Sequence, residues 1–157
     1  MGLLRGIELT LSYVVHALFR LVQLALALAV CGLYAVDIDR AIQAGMYIDG
    51  RWICALVITS LSAITALLYL IPCVSRLPMA FAWDATLFVL WMSLFALFGN
   101  VFIGVQTEGD RGAQRMKNAV WVDLANAILW LISSVGMLLY WRHNQQKRTS
   151  WTGRGKA

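Results

Sequence analysis

The stretch YVVHALFRLVQLALALAVCGLYAV, residues 13–36, decides the fold of this chain. It holds 24 residues with a single charge, Arg20. A helix needs only about 20 apolar residues to cross a hydrocarbon core of roughly 30 Å. Three similar runs follow and predict membrane-spanning helices at residues 52–74, 79–103 and 119–141. None of the four runs alternates polar and apolar residues as the strand of a membrane barrel would.

The composition of the whole chain indicates the same class. Of its 157 residues, 61% are hydrophobic and 13% are charged, whereas a soluble globular domain carries about 25% charged residues. A soluble domain of this size could not bury so much apolar surface and still present a polar exterior. We therefore predict an all-α integral membrane protein, a four-helix transmembrane bundle. The composition excludes a cytosolic enzyme, a nucleic-acid-binding protein and a secreted disulfide-rich scaffold.

The charges on the connections predict how the chain is oriented. The predicted parts are a cytosolic N-terminal segment, a four-span domain and a basic cytosolic tail, at residues 1–12, 13–141 and 142–157. Four spans place both termini and the second connection on one side of the membrane. That side carries seven Lys and Arg residues, against five in the first and third connections. The positive-inside rule then predicts cytosolic termini, with the basic tail against anionic lipid.

A cleavable signal peptide is the alternative interpretation of the first run. Ala27-Leu28-Ala29 has the small-residue spacing of a cleavage site. Apolar sequence continues for seven residues beyond it, to Val36, and this favours an uncleaved span.

Sequence patterns that carry catalysis are missing. The cysteines at 31, 54 and 73 are too far apart for a C-x-x-C redox pair or a zinc cluster. Two histidines cannot supply a membrane di-iron centre, and no phosphate loop or serine elbow occurs. We predict no enzymatic activity, no cofactor and no metal. Cys73, close to the predicted cytosolic interface, is a candidate palmitoylation site, or simply a small apolar residue near a helix end.

Three charges interrupt the spans: Arg20, Asp84 and Asp123. A charge at the centre of a bilayer costs at least about 2.5–3.5 kcal/mol, so each should face the bundle and find a partner. Arg20 and Asp84 both lie roughly 8–11 Å from their helix ends in the same half of the membrane, at 1.5 Å of rise per residue. This spacing predicts an ion pair that fixes helix register, with a proton or ion relay as the alternative. Asp123 lies in the opposite half, which argues against transport.

Helical wheels predict which faces point inward. The third span presents one aromatic ridge beginning at Asp84, and the fourth presents a mixed face beginning at Asp123. The ridge comprises Asp84, Phe88, Trp91, Phe95, Phe98 and Phe102, and the mixed face Asp123, Asn126, Trp130, Ser134, Met137 and Trp141. Small and polar faces of the first two spans should pack against them; these are Arg20, Gln23, Ala27, Cys31, Thr59, Ser62, Ala63 and Ala66. Leu26 and Leu139 should face lipid. A ligand groove along the ridge is the alternative.

The third and fourth spans share a short pattern. Trp91 follows Asp84 by seven residues, and Trp130 follows Asp123 by seven. Each tryptophan lies two turns after its aspartate on the same face, where a buried indole N–H needs an acceptor. Duplication, chance and a shared packing solution all explain the pattern.

These patterns resemble the MARVEL-domain proteins of the short fungal type across nearly all of residues 13–141. The resemblance rests on Arg20-x-x-Gln23, Cys31-Gly32-Leu33-Tyr34, Phe81-Ala82-Trp83-Asp84 with Trp91, and Trp121-x-Asp123-x-x-Asn126-x-x-x-Trp130. It implies membrane organisation: vesicle trafficking, membrane apposition and lipid-rich plasma-membrane domains, with cytosolic termini and no enzymatic activity. This chain lacks the cysteine-bearing outer loop of some animal relatives, so the resemblance does not extend to a junction-type adhesive role.

We therefore expect a non-enzymatic tetraspan protein of the plasma membrane or of secretory or endosomal vesicles. It would organise or sense lipid domains, or assist trafficking and cargo sorting, with lipids and other membrane proteins or further copies as partners. One alternative is a small transporter or proton-coupled carrier that uses Asp84 and Arg20. A second is an accessory subunit of a larger membrane complex.

Overall fold

The computed structural model describes the backbone of residues 2–47, 49–71, 79–104 and 111–151, and side chains within these ranges from residue 14 to residue 143, with residue 145. Four helices make up this part of the chain, and it contains no strand. They are α1 (Gly2–Gln43), α2 (Gly50–Tyr69), α3 (Ala80–Phe102) and α4 (Arg111–Trp151). All four are long and apolar enough to cross a membrane. The all-α four-helix membrane bundle predicted from the apolar runs is confirmed.

Two helices run well beyond the predicted spans. α1 continues from the predicted end at residue 36 to Gln43, and α4 begins at Arg111 instead of residue 119. Charged residues after an apolar run mark where a helix leaves the hydrocarbon, but they do not break its backbone hydrogen bonds. Only a residue of special backbone geometry ends α1: Gly45, with φ of 64°. The amide of Met46 there donates to Ala41 O and that of Gly45 to Ile42 O, which is the Schellman arrangement.

α2 is shorter than predicted, and α3 agrees with its prediction to within one residue at each end. Asp49 caps α2 by accepting from the amide of Arg51 at 3.3 Å. The helix ends at Tyr69, five residues before the predicted end at residue 74. Pro72 in the sequence explains this end, since proline lacks an amide donor and disfavours helical geometry in the residue before it.

The helices form a ring in which each contacts its two neighbours, α1 with α2 and α4, and α3 with α2 and α4. The α3–α4 pair has the most extensive contact and the α2–α3 pair the least. Side chains from diagonally opposite helices meet in the centre of this ring of helices and fill it. We call the half nearer the chain termini the terminal half, and the half nearer the α1–α2 and α3–α4 connections the distal half.

The burial of side chains corrects the predicted face of α3. Leu87 and Leu94 are fully buried, whereas Phe88 and Phe95 are only partly buried. The aromatic ridge is therefore turned partly towards lipid, and the inward face follows Asp84, Leu87, Trp91, Leu94 and Phe98. α3 is apolar on all sides, so hydrophobicity alone could not fix its rotation.

The other predicted faces agree more closely with the structure. On α2 the predicted inward residues Thr59, Ser62, Ala63 and Ala66 are all buried. On α1 the predicted Cys31 is only partly buried, and Val30 and Tyr34 occupy the inward positions beside it. At the end of the α4 face, Met137 is half-buried and Trp141 exposed. Leu139 is exposed as predicted, whereas Leu26 is half-buried.

Candidate functional site: the buried polar core

Arg20 and Asp84 form an ion pair in the terminal half of the bundle. Arg20 Nη2 lies 3.2 Å from Asp84 Oδ2, and the two side chains are 1% and 0% exposed. The pair joins α1 to α3 across the ring. The spacing argument from the sequence predicted this contact, and the structure confirms it.

Further contacts hold the Arg20 guanidinium in the core. Its Nη1 donates to Gln23 Oε1 at 2.9 Å, one turn along the same helix. The ring of Tyr69 lies 4.3 Å from the guanidinium carbon, and the ring of Trp130 lies 5.4 Å from it. Aromatic faces attract a cation more strongly where water is excluded. Arg20 thus replaces its lost hydration with a carboxylate, an amide and two rings.

Asp84 also accepts a hydrogen bond from Ser133 Oγ on α4, at the same carboxylate oxygen that Arg20 contacts. Next to it, Ser134 Oγ donates to the backbone oxygen of Phe81 at 2.9 Å. Two consecutive serines therefore fasten α4 to the start of α3. We call Arg20, Gln23, Asp84 and Ser133 the terminal cluster. Sequence reasoning placed Ser134 inward but missed Ser133 and Tyr69; the nearest signal was the position of Ser133 three residues after the inward Trp130.

Two tryptophans meet at one serine in the middle of the bundle. Trp91 Nε1 on α3 and Trp130 Nε1 on α4 donate to Ser62 Oγ on α2, at 3.2 and 3.1 Å. All three side chains are 0% exposed. The shared Asp-to-Trp spacing of the two spans thus brings both indoles to the same acceptor. We call this set the indole layer.

A second polar group lies in the distal half. Tyr34 OH on α1 donates to Asp123 Oδ2 on α4 at 2.6 Å. Asn126, one turn further along α4, is fully buried. We call Tyr34, Asp123 and Asn126 the distal cluster. Along α4, Trp130 follows this cluster and precedes Ser133, so the indole layer separates the distal cluster from the terminal cluster.

Aromatic rings close the distal cluster from the side. The Tyr34 ring packs 4.8 Å from Phe98 and 5.8 Å from Trp52, centroid to centroid. Further towards the distal end of the bundle, Arg115 Nη2 lies 2.6 Å from Asp37 Oδ1. Both charged residues were predicted to lie in connections but belong to the extended ends of α1 and α4. Their ion pair is partly buried and joins the two long helices at the distal end.

All seven predicted polar and packing residues are buried in the bundle. They are Arg20, Gln23, Asp84, Trp91, Asp123, Asn126 and Trp130. Arg20, Gln23 and Asp84 come together in one cluster, with Trp130 against Arg20, while Asp123 and Asn126 belong to the other. Cys73 and the basic residues from Lys147 onward lie outside the described side chains. Within the described part of the chain, no three His, Cys, Asp or Glu side chains are grouped as metal ligands.

An apolar groove of about 300 Å³ lies between α2 and α3 in the terminal half. Its walls include Leu61, Ile64, Leu68, Met79 and Trp83. Trp83 Nε1 donates to Thr65 Oγ1 at 3.2 Å across the groove, and Tyr69 OH donates to Ala80 O at 3.4 Å, so the polar side chains of its wall are already bonded. The groove follows from the sparse contact between these two helices. We call it the α2–α3 groove.

No protein-family model, curated protein or solved structure matches this chain. The resemblance to MARVEL-domain proteins therefore stays a prediction from the motifs.

Proposed function

We propose that this protein is a non-enzymatic tetraspan that organises or senses the lipids around it, or helps sort membrane cargo. The resemblance to MARVEL-domain proteins motivates the proposal, together with the burial of most polar and aromatic motif residues in one bundle core. These are Arg20, Gln23, Tyr34, Asp84, Trp91, Asp123, Asn126 and Trp130. We further propose cytosolic termini, a plasma-membrane or secretory or endosomal vesicle location, and a basic tail that contacts anionic lipid.

The observation that carries the lipid role is the α2–α3 groove. It opens on the side of a membrane-spanning bundle, where the surrounding medium is hydrocarbon. Ile64 and Leu68 on α2 are 55% and 48% exposed beside it, and Met79 at the start of α3 is 75% exposed. An apolar groove that faces hydrocarbon suits a segment of one acyl chain of a membrane lipid.

The core is arranged to hold the bundle together. Each polar side chain of the terminal cluster is bonded to another helix or to its own neighbour. The indole layer fills the bundle centre with two of its largest side chains. Such a core favours a scaffold over a carrier, because a carrier must open a polar path to both sides.

A small proton-coupled carrier is the second candidate function, and one observation favours it. Polar side chains recur along the bundle axis, and both amide atoms of Asn126 and Oδ1 of Asp123 have no hydrogen-bond partner among the described residues. The indole layer lies between these atoms and Asp84. The carrier proposal therefore requires Trp91 and Trp130 to move apart.

Photochemical labelling tests the lipid role. The protein is reconstituted in nanodiscs with a phospholipid that carries a diazirine on one acyl chain, and labelled residues are located by mass spectrometry. We expect labels to concentrate on the α2–α3 groove. Ile64→Trp should reduce them there, while Val57→Trp should not, since Val57 lies two turns away on the same exposed face of α2.

Three results would contradict the proposal in different ways. Labels spread evenly over all exposed residues would show that the groove holds no ordered acyl chain. Proton flux into liposomes that Asp84→Asn abolishes would favour the carrier. A membrane enzyme that co-purifies in fixed proportion from native lipid would favour the accessory-subunit alternative.

A further inference from the structure

Asp123 is a buried carboxyl group without a cationic partner. It is 0% exposed, and Tyr34 OH donates a hydrogen bond to its Oδ2 at 2.6 Å. Its other oxygen, Oδ1, has no partner among the residues that the structure describes. Asp84 differs, since Arg20 lies beside it. An isolated carboxylate in a low-dielectric core is so costly that the group must acquire a positive charge or a proton.

The charged side chains on the elements around Asp123 form no ion pair with it. On α1 and α4, Asp37 and Arg115 are paired with each other at 2.6 Å. Lys117, six residues before Asp123, points to a different face of α4 at about 100° per residue, and no ion pair joins it to Asp123 among the described residues. Arg115 precedes Asp123 by eight residues, about 12 Å along α4 at the helical rise of 1.5 Å per residue. At the start of α2, Asp49 pairs with Arg51 in solvent. α3 carries no charged residue after Asp84. Among the described residues, no cation is therefore ion-paired with Asp123.

Asn126 lies next to Asp123 on the same face of α4. Side chains three residues apart on a helix are neighbours, with about 5–6 Å between their Cβ atoms. Asn126 is 0% exposed, and neither its Oδ1 nor its Nδ2 has a partner in the described part of the chain. A buried amide without partners is rare in folded proteins and indicates that a donor or acceptor belongs beside it.

We propose that Asp123 is a proton-binding site, in which Oδ1 takes up one proton and donates it in a hydrogen bond to Asn126 Oδ1. The carboxylate and one proton from the medium become a neutral carboxylic acid, and no other bond forms or breaks. This single proton removes the unpaired charge and satisfies two of the unpartnered atoms. Tyr34 OH continues to donate to the opposite oxygen, Oδ2.

The two carboxyl groups of the core then have different states because their surroundings differ. Asp84 is a carboxylate neutralised by the Arg20 guanidinium, while Asp123 is neutralised by a proton. This proposal is independent of the lipid role, because it concerns the distal cluster and not the α2–α3 groove.

Infrared spectroscopy of the full chain in nanodiscs tests the proposal, with aspartate labelled at the side-chain carboxyl carbon by ¹³C. We expect a carbonyl band of a protonated carboxyl group that is lost in Asp123→Asn and retained in Asp84→Asn. Asn126→Leu should keep the band and shift it to higher frequency, since the acid then loses its acceptor. Tyr34→Phe should shift it as well, through the opposite oxygen.

The test separates a proton from a bound metal cation. If Asp123 were ionised and held Na⁺, the wild-type protein would lack the band, and its thermal midpoint would rise in sodium chloride relative to choline chloride. That result would overturn the proposal. A protonated band that persists in Asp123→Asn would overturn it too, because the proton would then reside on another aspartate.

Discussion

Ser62 is a small residue in the middle of α2, and its oxygen accepts hydrogen bonds from indoles on two other helices. The Arg20–Asp84 pair similarly joins opposite corners of the ring. At the scale of single residues, the bundle is thus joined by a few polar side chains that reach across its centre. In lipid this matters more than in water, because there is little hydrophobic drive between membrane helices.

Loss of the Ser62 hydroxyl should destabilise the bundle strongly. Ser62→Ala leaves two buried indole N–H groups without an acceptor, each at a cost of about 1–3 kcal/mol. Thermal unfolding in detergent, followed by tryptophan fluorescence, measures the effect. Ser60→Ala is the matched control, since Ser60 is exposed on the same helix. Equal midpoints for the two variants would show that the indoles find another acceptor.

The Arg20–Asp84 pair should behave as a coupled unit. Removing one partner of a buried pair costs about 3–5 kcal/mol, because the other charge is left alone. Asp84→Ala should be the more damaging change, since Arg20 remains caged between Tyr69 and Trp130. Arg20→Ala leaves Asp84 with the hydrogen bond from Ser133.

A double-mutant cycle measures this coupling. The thermal midpoints of the wild-type protein, both single variants and the double variant are compared in one detergent. We expect the double variant to be less damaged than the sum of the singles, with a coupling of about 0.5–3 kcal/mol. Strict additivity would show that the two residues do not interact.

At the scale of helices, the ends of α1 and α2 are set by backbone chemistry, not by the edge of the hydrocarbon. Gly45 ends α1 in a left-handed conformation, and Asp49 begins α2 four residues later. The extension of α1 to Gln43 brings Asp37 to Arg115 of α4. The two long helices therefore stay in contact beyond the hydrophobic part of the bundle.

Gly45 should not tolerate a side chain, although it has open space around it. Gly45→Ala forces an L-residue into the left-handed region, at a cost of roughly 1–2 kcal/mol. Its φ is +64°, and no atom lies within 4 Å of an added Cβ. Gly136→Ala is the matched control, because Gly136 is helical and equally open. It should stabilise α4 by about 0.5–1 kcal/mol. Thermal unfolding midpoints of the two variants measure both effects. An unchanged midpoint for Gly45→Ala would contradict this explanation of the end of α1.

At the scale of the whole molecule, the bundle presents apolar side chains outward on all four helices and keeps the charged side chains of its predicted spans, Arg20, Asp84 and Asp123, within. Val57, Val89 and Leu139 are 60%, 58% and 61% exposed, whereas Asp84 and Asp123 are 0% exposed. This inverts the arrangement of a soluble protein and suits a hydrocarbon medium. The orientation of the bundle in the membrane then depends on the charges at its ends.

Cysteine labelling from each side of the membrane tests the predicted orientation. In a variant without the cysteines at 31, 54 and 73, Tyr47→Cys should react with an impermeant maleimide on intact cells. Tyr47 lies in the α1–α2 connection and is 94% exposed. Gly155→Cys, in the tail beyond the described residues, should react only after permeabilisation. The reverse pattern would place the termini outside.

The sequence by itself determined the four spans and the Arg20–Asp84 pair. The length of an apolar run is a local property that the thickness of the bilayer selects directly. Two opposite charges at the same depth in an apolar medium have few other partners, so their pairing follows from depth alone. The inward position of Trp91 and Trp130 followed in the same way from their spacing to Asp84 and Asp123.

Only the tertiary structure decided how far each helix is turned and which atoms meet. In lipid both faces of a helix are apolar, so hydrophobic periodicity does not distinguish Leu87 from Phe88, and the inward one is chosen by its neighbours. The acceptor shared by the two indoles required α2, α3 and α4 to converge on Ser62. The Asp37–Arg115 pair required helices that extend beyond the hydrocarbon. Hydropathy does not predict these extensions, because it detects only the apolar part of a helix.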